Sequence, residues 1–195
     1  MLLGVERVAI APGATRVSPL AFEYYPYSHS LLAVAIWAAA FASVCLLARG
    51  GRRTASILGL CVLSHWALDA LVHRPDLPVT FGGSLKAGLG LWDSVAATIA
   101  AEGGVFAVGV ALYAGSTSAV DRVGRYGTWA LAAALVIIFA GQFSGAAPPD
   151  ASTVAIAGFA QWVFVFLGFW TDWHRRPRAA VWHQTRPSEN PATKR

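Results

Sequence analysis

The chain has 195 residues, of which 56% are hydrophobic and only 13% charged, with a mean hydropathy of +0.53. Soluble domains carry about 25% charged residues, so this composition excludes an ordinary water-soluble globule and points to a membrane protein. The formal net charge of +5 would suit a nucleic-acid partner, but the distribution of the basic residues, taken up below, argues against one.

Residues 1–27 are mixed in character. Pro12, Pro19 and Pro26 break regular structure, and FEYYPY places Phe22, Tyr24, Tyr25 and Tyr27 where an interfacial aromatic belt is expected. No apolar segment with a small-residue cleavage site opens the chain, so the first span is expected to act as its own insertion signal. Five apolar stretches follow, at about 29–48, 54–73, 88–114, 126–143 and 151–171. Each is close to the ~20 residues that cross a bilayer as a helix. The runs are continuous rather than alternating, which excludes a transmembrane β-barrel, and lipid offers the backbone no partners outside a helix.

The expected fold is therefore all-α: a polytopic transmembrane helical bundle of about five spans, with the N-terminus outside and the C-terminus cytoplasmic. Residues 1–27 form an extracytoplasmic or interfacial segment, 28–173 the transmembrane domain and 174–195 a disordered cytoplasmic tail. With that orientation eleven Lys and Arg fall on the cytoplasmic side, and four (Arg7, Arg16, Arg74 and Lys86) on the outer side. This is a positive-inside bias, and it explains the basic charge without nucleic acid. The expected location is the cell inner (plasma) membrane, multi-pass, with the bilayer as first partner; a homo-oligomer or larger membrane complex is left open. Cys45 and Cys61 fall within spans as small hydrophobes. No internal repeat of the kind many transporters carry is visible.

The second span holds a polar ladder, His65-x-x-x-Asp69-x-x-x-His73. Ionisable groups at membrane depth are costly unless they pair, bind an ion or line a wet cavity, so the ladder is a functional-site hypothesis. Residues four apart share a helix face about 6 Å from each other, so the three together extend about 12 Å, too far for one metal with ligand bonds of about 2 Å. Asp69 is then the pivot, pairing with His65 on one side or His73 on the other. Antiparallel topology brings His29, at the start of the first span, and Asp93, near the start of the third, into the layer of Asp69 and His73. Glu102 is expected deeper, paired with an Arg or Tyr of a neighbouring helix.

Imidazole and carboxylate together suit a divalent metal, Zn²⁺ or Mn²⁺. Such a metal would supply hydrolytic chemistry, with His73 or Asp93 as a general base or orienting group and Arg74 holding an anionic group such as phosphate. The blander readings are a structural hydrogen-bonded cluster for the ladder, a snorkelling interfacial His29 and a helix-start Asp93 favoured by the macrodipole.

The segments YPYSHSLL, SHWALDALVHRPDLP and GLGLWDS resemble a family of small bacterial integral-membrane proteins, mostly uncharacterised. Its members are labelled in places as membrane-bound metal-dependent hydrolases and in places as permeases. The resemblance covers about residues 1–173 and implies His29, His65 and Asp69 as metal-site residues, with His73 near them. Family members commonly begin with a further hydrophobic segment carrying a Gly-His motif and an Asp. This chain opens instead at MLLGVERVAIAPG, as a shortened member or one with an upstream start would. The functional expectation is a metal-dependent hydrolase of a lipid or amphiphilic substrate. The alternatives are a small transporter or permease, with the ladder as an ion relay through Glu102, and a non-catalytic membrane scaffold subunit.

Overall fold

A computed structural model describes residues 5–178. Two short strands, β1 (Arg7–Ile10) and β2 (Leu20–Tyr24), pair antiparallel and lead into the single turn α1 (Pro26–His29). Helices α2 (Leu31–Leu47) and α3 (Arg52–Val72) form a hairpin. Ser30 starts α2, its hydroxyl accepting the amide of Ala33 at 3.1 Å. Arg49, at φ 62°, ends it by letting the Gly50 amide return to the Cys45 carbonyl at 2.7 Å. Small residues bring the pair close: the space beside Gly59 is bounded by Ala38 and Ala42, and Ala38 and Ala55 are buried.

Beyond α3 the strands β3 (Leu77–Pro78) and β4 (Lys86–Ala87) pair, and Leu91–Asp93 makes a 3₁₀ turn. The third long helix runs Val95–Ser116 as α4 (Val95–Thr98), a π turn over Ile99–Gly103 and α5 (Gly104–Ser116). Strand β5 (Thr117–Ala119) precedes α6 (Arg122–Gly141). The last long helix, Ala151–Trp173, bends at Gln161 into α7 (Ala151–Ala160) and α8 (Trp162–Trp173), and β6 (Arg175–Pro177) returns to pair with β5.

Among the described residues four helices are long and apolar enough to cross a membrane, and α2 is a shorter apolar helix. At about 1.5 Å per residue, the 17 residues of α2 extend about 25 Å, against a hydrocarbon core of about 30 Å. Large apolar side chains face outward along the helices, including Leu47 at 84% exposure and Ile137 at 71%. A surface of that kind is compatible with lipid and not with water. The buried residues concentrate elsewhere: at the α2–α3 contact and at the hairpin end, where Val8, Val17, Tyr25, Val72, His73, Leu77 and Thr98 are enclosed.

Three expectations are corrected. The third span begins at Val95 rather than near residue 88, because Gly88 and Gly90 take positive φ and Ser94 caps the helix, accepting the amide of Ala97. Residues 1–27 contain a β-hairpin, so the bundle is not purely helical. His174 to Arg178 at the start of the expected tail are ordered: His174 Nδ1 lies 2.6 Å from Asp121 Oδ2, and the Arg178 amide donates to the Ser116 carbonyl. The rest of that tail lies outside the described residues.

Candidate metal centre

Asp69 projects from α3 toward α1, and His29 and His65 aim the same ring nitrogen at it. Asp69 Oδ2 is 3.3 Å from His65 Nε2 and 3.8 Å from His29 Nε2. One ligand atom from each of the three residues lies within 4.8 Å of the others, so the trio could hold a metal ion. Two ligand atoms about 2.1 Å from a tetrahedral metal stand about 3.4 Å apart, a spacing the His65–Asp69 pair already has. Asp69 Oδ2 is itself buried and has no hydrogen-bond partner. An unpartnered buried carboxylate oxygen normally costs about 1–3 kcal/mol or more, and a cation there would remove that cost. By donor chemistry and by this orphaned oxygen, the residues fit a divalent metal.

Access is unequal. The His65 side chain is 49% exposed and that of Asp69 18%, so the cluster opens past His65. His29 is held from behind: its Nδ1 is 2.5 Å from the Ser28 hydroxyl, which donates to Glu6 Oε2 at 2.6 Å.

His73 goes elsewhere. Helix α3 ends at Val72; the φ of −63° at His73 keeps its Cβ in helical register, but the ψ of 148° turns the following chain and brings Asp76 within reach, so the ring is drawn to Asp76 rather than to Asp69. The ring is 3% exposed and packs against Phe22 and Trp92, with centroids at 4.6 and 4.7 Å. Its Nδ1 lies 3.1 Å from Asp76 Oδ1, which also accepts the buried Tyr25 hydroxyl at 3.2 Å. Burial works to raise the Asp76 carboxyl, but the bond and charge of His73, with Tyr25 and Arg74, outweigh it and hold Asp76 below the usual carboxylate range. Burial, then the charge of Asp76, pushes the Tyr25 hydroxyl upward.

A carboxyl lowered on folding stabilises the protein above its ordinary pKa, and that contribution is lost as pH falls through the folded value. Asp76→Asn is therefore expected to destabilise the protein by about 1.5–3 kcal/mol at neutral pH, the range of a charged hydrogen bond. The difference from wild type should shrink below about pH 4, as followed by denaturant unfolding across pH.

Asp93 sits in the 3₁₀ turn and, like His73, lies outside the trio. Arg74 is half-buried beside Asp76. Glu102 lies in the π turn and accepts the indole N–H of Trp92 at 3.0 Å, in place of the expected Arg or Tyr. Sequence reasoning passed over Glu6, Tyr25 and Asp76; of these only Asp76, three residues beyond His73, carried a local signal. Two grooves, about 550 and 990 Å³, border α5 and α6, and neither includes His29, His65 or Asp69. Both are lined mainly by apolar side chains, with Glu102 at the edge of one and Tyr113, Thr128, Thr171 and Asp172 in the other.

No protein-family model matches the chain, and neither a curated protein nor a solved structure matches it. What the protein does is therefore argued from these side chains: two imidazole nitrogens turned on one buried, unpartnered carboxylate oxygen, in a chain with four helices able to cross a membrane.

Proposed function

We propose that the protein is a metal-dependent hydrolase of the bacterial inner membrane, acting at the outer leaflet on a lipid or another amphiphile. The observation that carries this reading is Asp69 Oδ2, buried and without a hydrogen bond while two histidine nitrogens face it. A purely structural His/Asp cluster would close its hydrogen bonds.

The orientation rests on charge. Arg49, Arg52, Arg53, Arg122, Arg125, Arg175, Arg176 and Arg178 lie at the end of the bundle away from the trio, which makes that end cytoplasmic by the positive-inside rule. Membership of the membrane-hydrolase family that the motifs resemble agrees with this assignment and is part of the proposal.

His29, His65 and Asp69 would hold the ion, Zn²⁺ or Mn²⁺, which would supply Lewis-acid chemistry for hydrolysis. Three protein ligands leave a coordination position free, the pattern of catalytic rather than structural zinc. The half-exposed edge at His65 admits substrate, and Arg74 is the cation nearest the Asp76 cluster for an anionic headgroup. His73, committed to Asp76, holds the outer loop in place. The test is protein in nanodiscs, stripped with chelator, reloaded with Zn²⁺ or Mn²⁺ and offered phospholipids, lysolipids and amphiphilic phosphoesters. Hydrolysis that vanishes on chelation and returns on reloading is expected; hydrolysis indifferent to chelation, or none by metal-loaded protein, would overturn the assignment.

A further inference from the structure

Glu6 reaches the candidate centre from outside the spans. Its Oε1 accepts the amides of Tyr27 and Ser28 at 3.0 and 2.9 Å, and its Oε2 accepts the Ser28 hydroxyl at 2.6 Å. A carboxylate accepting two backbone N–H groups is an acceptor throughout, so the single hydroxyl proton of Ser28 is committed to Glu6. The remaining contact, 2.5 Å between Ser28 Oγ and His29 Nδ1, then needs its proton from the ring. In its neutral form His29 then carries its one ring hydrogen on Nδ1, leaving a bare lone pair on Nε2, the atom that faces Asp69.

We infer that Glu6 and Ser28 are positioning residues that fix the tautomer of His29 and so aim a metal-ready nitrogen at Asp69. The inference rests on the metal reading for its purpose but not for its geometry. Metal-binding histidines commonly give their other N–H to a carboxylate or carbonyl; here a serine is interposed. Neutral imidazole in water favours the opposite form, with hydrogen on Nε2. Without the relay, Nε2 would present a proton to Asp69 instead of a lone pair.

The test is ¹⁵N NMR of the histidine rings in metal-free, full-length protein in nanodiscs at mildly alkaline pH. His29 is assigned by loss of its signals in His29→Gln. Wild type is expected to show protonated Nδ1 and bare Nε2. Ser28→Ala and Glu6→Ala, which cut different links, should move the proton to Nε2, and Ser28→Thr should restore the wild-type pattern. Zn²⁺ affinity should follow, falling about 10–100-fold in the two alanine variants and not in Ser28→Thr. A wild-type ring protonated on Nε2, or a tautomer unmoved by both alanine variants, would overturn the relay even if metal binds. Tautomers that shift as expected in a protein binding neither Zn²⁺ nor Mn²⁺ would uphold the relay and refute the metal centre.

Discussion

Asp69→Ala is expected to lower the affinity for Zn²⁺ or Mn²⁺ by at least about 100-fold. It removes the trio's one negative charge, whereas even outer-shell changes at metal sites cost about 10–100-fold. The same substitution should leave the metal-free protein no less stable than wild type, and more stable by about 1 kcal/mol. Asp69 Oδ2 is buried without a hydrogen bond, and truncating the side chain relieves that desolvation cost. This pair of outcomes separates the two readings of the ladder, because a residue kept for structure would destabilise on removal. Equilibrium metal titration and denaturant unfolding with and without metal check both halves. His65→Ala should weaken binding less than Asp69→Ala, since the His65 side chain is 49% exposed and water can take its coordination place.

Gly88→Ala should be among the most destabilising substitutions in the outer loop. Gly88 has φ +143°, and a Cβ there would run into the carbonyls of Arg74 and His73. The residues that follow tie the loop across the end of α3: the Leu89 amide donates to Ala70 at 2.9 Å and the Gly90 amide to His73 at 2.7 Å. The conformational penalty is about 1–2 kcal/mol, and two backbone hydrogen bonds add about 1 kcal/mol each. A loss of about 3 kcal/mol follows, with weaker metal binding because the turn of α3 carrying Asp69 loses its anchor. Gly82→Ala is the control, since Gly82 has nothing within 4 Å and should change stability by less than about 0.5 kcal/mol. Denaturant unfolding and limited proteolysis of residues 79–90 measure the difference.

The pairing of His65 with Asp69 was legible because both residues lie inside one regular helix, where spacing fixes the face. His29 followed from antiparallel topology alone. His73 was not legible in the same way: the chain turns just after it and brings in Asp76, a local partner that takes the ring. The late start of the third helix was hidden for a related reason: two left-handed glycines and a 3₁₀ turn place Asp93 ahead of the helix rather than within it. Glu6 and Tyr25 were out of reach because their partners are 22 and 51 residues away, the first reached through a β-hairpin whose prolines masked it and the second across the α2–α3 helix pair. The apolar spans were the clearest feature, since continuous hydrophobicity reports directly on lipid exposure.

The central claim is that His29, His65 and Asp69 share one divalent cation. X-ray absorption at the zinc edge, on protein loaded in nanodiscs, tests it most directly. It should show one tightly held zinc per chain, with scattering from two imidazoles and a carboxylate oxygen at about 2.0–2.2 Å, and one imidazole fewer in His65→Ala. Zinc held without imidazole scattering, or none retained at stoichiometry after dialysis, would contradict it.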